Sequence, residues 1–296
     1  MDLFNQHLYS LILLLIGLVA VIANSMLLWT AYQLINYSLE IKLAMALALA
    51  DLILALLIIC SFCLNNWVYN APETFKLFCK FKGPTTFLLF YFSLVLIGLI
   101  AMERYYKVRS STIPPIIWFL IIICTAAFIV LVALSAIYGE FSASLTGCDC
   151  APLAKNSTLS AIVIFSLGFL MFASVMTALF GYVGVLRFVL QTQARINHTF
   201  ESSHKVKIRV LSISLIYLLL IAPAAILIMM EGANLFMPSE LLSLVITTLI
   251  ALTTIADPCL ILFSHSLIFE RLRHSISAGY SSTHPKGSES LVLVID

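Results

Sequence analysis

Apolar residues in this chain occur in long unbroken runs. Leu11–Ile16 and Ile116–Thr125 are apolar on every side rather than on alternate positions or along one stripe. A helix needs about 20 mostly apolar residues to cross the hydrocarbon core of a bilayer. Seven stretches reach that length, at about 8–32, 41–64, 79–106, 114–138, 159–190, 205–230 and 240–263. A transmembrane barrel would show shorter segments of alternating polarity. The pattern therefore predicts an all-α membrane protein, a bundle of seven transmembrane helices. Beyond the last span, Leu267, Ile268, Phe269, Leu272 and Ile276 recur at helical spacing, with Glu270, Arg271 and Arg273 between them. They predict a short amphipathic helix over about 265–276, lying in the membrane interface. Residues 1–276 form one membrane domain, and the Ser-, Gly- and Thr-rich stretch 277–296 reads as a flexible tail. No internal repeat is visible.

Composition removes whole classes of function. Of 296 residues 62% are hydrophobic and only 10% charged, whereas a soluble domain is about a quarter charged. That excludes a soluble enzyme and a disordered regulator. A net charge of +2 gives no basic surface for nucleic acid. The few charges are informative by position. With the N-terminus outside, twelve basic residues fall on the cytoplasmic side (Lys42, Arg104, Lys107, Arg109, Arg187, Arg195, Lys205, Lys207, Arg209, Arg271, Arg273, Lys286) and four outside (Lys76, Lys80, Lys82, Lys155). The positive-inside rule selects this orientation, with the C-terminus in the cytoplasm. About seven weakly charged residues precede the first span, too few for the basic region of a cleaved signal peptide, so the first helix is expected to be its own uncleaved signal. Asn156-Ser157-Thr158 is a glycosylation sequon on an outer loop. Asn36-Tyr37-Ser38 and Asn197-His198-Thr199 also fit, but this topology puts them inside; glycan on either would overturn it.

Polar groups that a membrane should exclude mark candidate sites. Asp51 lies mid-span and Asp257 in the inner half of the last span, with Asn24, Ser93, Thr253 and Thr254 at depths that can join them. Such an oxygen-rich set suits a hard cation or a proton-linked water cluster; protonated, hydrogen-bonded carboxyls are the alternative. Arg104 ends the third span as Glu103-Arg104-Tyr105. Its neighbour Glu103 can hold the guanidinium until a better partner arrives; an interfacial anchor of Arg and Tyr is the competing reading. Cys60, Cys63, Cys124 and Cys259 fall in spans and read as small apolar residues. Of Cys79, Cys148 and Cys150 on the outer side, two can pair.

Order and spacing of these features resemble the rhodopsin-like (class A) family of G-protein-coupled receptors. Asn24 matches the first-span Asn, and Leu47-Ala48-Leu49-Ala50-Asp51-Leu52 the second-span Asp motif. Arg104 of Glu-Arg-Tyr follows Cys79 by 25 residues, and Pro223 and Pro258 of spans six and seven are 35 apart, as in the family. Departures are equally specific. The sixth-span Cys-Trp-x-Pro reads Leu220-Ile221-Ala222-Pro223, without the tryptophan. The seventh-span Asn-Pro-x-x-Tyr reads Asp257-Pro258-Cys259-Leu260-Ile261, without the tyrosine.

The resemblance implies a plasma-membrane receptor, not an enzyme, that passes binding of an extracellular small molecule to a heterotrimeric G protein. It implies that Glu103 restrains Arg104, that Arg104 on release meets the G protein and Tyr182, and that span six bends at Pro223. Lys205, Lys207 and Arg209 would face the G protein and anionic membrane lipids. Asn24, Asp51, Ser93, Thr253, Thr254 and Asp257 resemble the family's sodium pocket, and Cys79 would bridge to Cys148 or Cys150. The ligand pocket would include Lys82, Thr86, Phe87, Phe90, Tyr91, Ala224, Ala225, Ile228 and Thr247. Ala251 stands where opsins carry the retinal-binding Lys and Thr86 where amine receptors carry an Asp, which argues against retinal and amines. An apolar, aromatic lining with one cation favours a lipid-like or small anionic ligand, unless Lys82 snorkels to the headgroups. Two rivals remain at this stage: an ion- or proton-coupled transporter or channel built on Asp51 and Asp257, and a signalling-deficient decoy receptor.

Overall fold

The computed structural model describes residues 3–34, 38–67, 72–143, 150–152, 157–196, 200–235 and 239–264. Seven helices follow one another: α1 (Leu3–Tyr32), α2 (Leu39–Trp67), α3 (Pro72–Val108), α4 (Pro115–Ile137), α5 (Thr158–Ile196), α6 (Phe200–Gly232) and α7 (Glu240–Ser264). Each contains a membrane-length apolar segment, so the chain is a multi-pass membrane protein. The expected interfacial helix and tail, with Cys148 and Asn156, lie outside the described residues.

Where helices begin is local chemistry. Ser38, Ser157 and Ser239 each accept a hydrogen bond from the backbone N–H three residues on, at Ile41, Ser160 and Leu242 (3.4, 3.0 and 3.3 Å). That satisfies one of the donors every helix N-terminus leaves open. α4 instead starts with Pro115 behind Pro114, where a missing N–H costs nothing. Several helices overrun their expected spans. α3 starts at Pro72 rather than near 79, α5 runs on to Ile196 past 190, and α6 starts at Phe200 before 205. Apolar residues stop at the edge of the lipid, but the backbone ladder does not.

One end of the bundle carries a feature the apolar pattern does not show. Phe141–Ala143 (β1) and Cys150–Pro152 (β2) pair antiparallel, with Phe141 opposite Pro152. A disulfide joins Cys150 to Cys79 of α3. Phe141 packs over Gly83, where a side chain would collide with its ring, and meets Phe87 edge-on at 5.5 Å. The opposite end carries Arg104.

α3 is the hub, packing on α2, α4, α5 and the hairpin. α4 is peripheral and buries only Phe128, Val132 and Ser135. α5 and α6 meet backbone to backbone. A Cβ at Gly168 would lie 2.7 Å from the Met229 nitrogen and 3.0 Å from the Ala225 carbonyl. One at Gly232 would collide with the Phe165 backbone. Only glycine permits this seam. Ala224 and Ala225 are fully buried beside it.

Candidate functional site

Two polar rungs link α2 to α3. At the lower rung, Arg104 Nε donates to Glu40 Oε1 at 2.6 Å, and both side chains are largely buried. At the upper, Ser93 Oγ donates to Asp51 Oδ1 at 2.7 Å. Glu40 and Asp51 are eleven residues apart, as are Ser93 and Arg104. Eleven residues are close to three full turns, so each pair shares one helix face and the rungs stand about 16 Å apart along the bundle.

The lower rung corrects one expectation. Arg104 is ion-paired with Glu40, not with its neighbour Glu103. Successive residues on a helix diverge by about 100° and do not face each other. Arg104 Nη1 also reaches Tyr182 Oη of α5 at 3.4 Å, with its guanidinium 5.8 Å from that ring. The Tyr182 contact expected only on release thus coexists with the acidic restraint. Tyr105 turns outward to Phe180 of α5 and takes a 2.6 Å hydrogen bond from Arg109.

Around the upper rung, Asn24, Asp51, Thr253, Thr254 and Asp257 are all buried. Asn24 Nδ2 donates to the carbonyls of Ala20 and Thr254 (2.9 and 2.8 Å), tying α1 to α7. Asp51 of α2 and Asp257 of α7 are buried in the same cluster. Tyr217 of α6 donates its hydroxyl to Asp257 Oδ1 at 3.1 Å. Tyr217 was not singled out from sequence. The seventh span lacks its tyrosine, and this phenol joins α6 to the α7 carboxyl. Asn24 Oδ1 and Asp51 Oδ2 have no hydrogen-bond partner. Thr253 and Thr254 hydroxyls donate to the carbonyls of Ile250 and Ala251, leaving their oxygen lone pairs available. Two buried carboxyls, with an unpartnered oxygen on Asp51 and an unpartnered amide oxygen on Asn24, call for a cation or a proton. The donor set is all oxygen and fits sodium.

Towards the hairpin end lies a cavity of about 60 Å³, lined by α1, α2, α3 and α7. Lys82, Thr86, Phe90 and Thr247 line it as expected of a ligand pocket, with Ala251 and Thr254. Lys82 is buried at 5% exposure, so it does not snorkel outward. Five residues expected in the wall lie elsewhere. Phe87 packs on the hairpin. Tyr91 shares a 2.9 Å hydrogen bond with Thr125 of α4 and stacks on Phe128. Ala224, Ala225 and Ile228 are buried in the core on the α6 side. Tyr91 instead lines a larger apolar groove, about 350 Å³, between α3, α4 and α5, whose lining holds no charged group.

The whole chain superimposes on a crystal structure of squid rhodopsin, covering 97% of this chain and 89% of that one, with a TM-score of 0.66 at 16% identity. The fold is that of rhodopsin. No family model matches the sequence, and no curated protein matches it. Within the rhodopsin fold, Pro223 and Pro258 sit inside α6 and α7, where each removes a backbone hydrogen bond. Pro258 is buried one residue after Asp257. α7 is thus weakened at the point where Tyr217 holds it.

Proposed function

We propose that the chain is a plasma-membrane G-protein-coupled receptor, with the hairpin end outside and the Arg104 end in the cytoplasm. It acts as a transducer, not an enzyme. The supporting observation is Arg104, held at the junction of α2, α3 and α5 by Glu40 and Tyr182 at one end of a rhodopsin fold. A buried guanidinium with one acidic partner is a two-state element. Paired with Glu40 it closes the cytoplasmic end. Released, it offers donors to carbonyls or carboxylates of a Gα subunit. Pro223 is where α6 bends, and Tyr217–Asp257 is the latch that the bend must break or carry. Sodium held by Asp51, Asp257, Ser93, Asn24, Thr253 and Thr254 would neutralise the two carboxyls and favour the closed packing. Asn156 carries glycan in this topology.

The test is guanine nucleotide exchange on a co-reconstituted Gα. Exchange rises with the receptor and falls for Arg104→Ala. The buried carboxyl pair also fits ion or proton transport, and the same vesicles decide. An ion flux lost in Asp51→Asn, with no nucleotide exchange, replaces the receptor reading by the transporter one.

A further inference from the structure

The groove between α3, α4 and α5 has a blind end, an open side and a charged mouth. It begins at Tyr91, near the middle of the Leu77–Val108 span. There the ring stacks on Phe128 and the hydroxyl meets Thr125, which closes the groove at mid-bundle. From Tyr91 it runs along α3 to Met102, a length of about 16 Å. That matches one leaflet of a hydrocarbon core about 30 Å thick. Leu120 and Cys124 of α4 line the groove and are exposed, so it opens sideways to the acyl chains of the bilayer.

Two observations show space that the protein does not fill. α4 buries only Phe128, Val132 and Ser135, all in its outer half. No residue of 115–126, the half beside the groove, is buried. Gly98 is the second observation. A Cβ at Gly83, Gly168, Gly181, Gly184 or Gly232 would collide with a neighbour, whereas one at Gly98 would meet Thr177 at an ordinary 3.6 Å. Alanine fits there and is the better helix former. What glycine adds is width in the groove wall.

The mouth carries charge. On α3, Tyr91, Val95, Gly98 and Met102 line the groove at steps of three and four residues, and the same steps lead on to Tyr105 and Arg109. On α5, seven-residue steps lead from Ala173 in the groove through Phe180 to Arg187. Such steps keep to one helix face. Tyr105 packs on Phe180, so the two stripes meet below the groove. Arg109 and Arg187 are both exposed, and Arg109 gives Tyr105 one of a guanidinium's several N–H donors. Arg109 lies about 10 Å beyond Met102 along the helix, at headgroup depth.

We infer that the groove holds one acyl chain of an anionic phospholipid, with the phosphate on Arg109 and Arg187 and the chain running up to Tyr91. The lipid supplies the cover that the inner half of α4 lacks. A sterol would bring a lone hydroxyl to two guanidiniums, whose forked donors fit phosphate oxygens. In the orientation proposed above, this end faces the leaflet that holds the anionic lipids. Occupancy of the groove does not rest on the receptor reading.

The experiment uses the full-length protein in phosphatidylcholine vesicles that hold a minor fraction of phosphatidylserine carrying a diazirine at one chain end. Both leaflets contain the probe, so the result is independent of orientation. Photolysis and peptide mapping should place adducts at the blind end, on Tyr91, Cys124 and Leu170. A phosphatidylcholine probe with the same chains should label there about 10- to 30-fold less, the effect of two arginines on an anionic head. Arg109→Gln combined with Arg187→Gln should remove that preference. Lys42→Gln, which removes an exposed cation at the same end but on α2, should leave it intact. Gly98→Leu and Cys124→Phe fill the groove from α3 and from α4, and each should abolish the adducts of both probes. The thermal midpoint reports whether either variant folds, and the exposed arginine pair tests the inference if neither does. Equal labelling by the two probes in the wild type, adducts scattered round the bundle, or a loss in Lys42→Gln equal to that of the arginine pair overturns the inference. So does loss of the adducts to competing cholesterol, which makes the groove a sterol site, or protein–protein crosslinks in their place, which make it a contact between copies.

Discussion

The two sides of this bundle are packed by opposite rules. Along α5–α6, glycines bring backbones into contact, and Ala224, Ala225 and Ile228 close the space completely. Between α1, α2, α3 and α7, polar side chains and a lysine surround a cavity and a cluster of buried oxygens. Close packing of small residues is a dispersion-driven contact that works as well in lipid as in water. Buried polar groups work only when each finds a partner. The first side is therefore rigid, and the second is the side that a small ligand or ion can alter.

Substitutions can break this contrast. The largest loss is expected at the seam. Gly168→Val forces two backbones apart and should cost about 3 kcal/mol or more, read as a lowered thermal midpoint in detergent, whereas Ala251→Val beside the cavity should change it by less than about 1 kcal/mol. If both variants unfold alike, the two sides are not packed differently. Next comes the Arg104 restraint. Glu40→Gln strips a largely buried guanidinium of its counter-charge, for which losses of about 3 kcal/mol are typical. It should also raise basal nucleotide exchange, while Glu103→Gln should do neither. Equal effects from the two carboxylates would restore Glu103 as the restraint.

Smaller effects sharpen the polar side. Tyr217→Phe removes one buried hydrogen bond to a carboxyl, about 1.5 kcal/mol, and should raise basal exchange more than Tyr91→Phe, which loses a neutral bond to Thr125. Exchange unchanged in Tyr217→Phe would mean that the α6–α7 bond is structural. Last, replacing potassium chloride by sodium chloride at equal ionic strength should raise the thermal midpoint by an amount growing with log concentration once the site saturates. Asp51→Asn should remove the difference. A midpoint indifferent to the cation in the wild type would remove sodium from the account.

Much of the architecture is legible in the sequence because a bilayer has a fixed thickness, and apolar length reports it directly. Asp51 and Asp257 also announce themselves, since a carboxyl in an apolar run must be paired, ion-bound or protonated. Glu40 was hidden because it sits in the first turn of α2, where an acid is ordinary. Its eleven-residue spacing from Asp51, matched by Ser93 and Arg104 on α3, was the available signal. That Ala224, Ala225 and Ile228 do not line the cavity beside Lys82 has a different reason. Periodicity tells which face of α6 points inward, but the closeness of α5 depends on glycines of another helix. Likewise, nothing local in Lys82 distinguishes a lysine that reaches the headgroups from one enclosed by four helices.

The most direct test of the receptor claim is guanine nucleotide exchange in proteoliposomes containing the protein and Gα. Exchange above that of protein-free vesicles is expected, abolished by Arg104→Ala and raised by Glu40→Gln. Exchange indifferent to both substitutions, or absent while an Asp51-dependent ion flux is present, would contradict it.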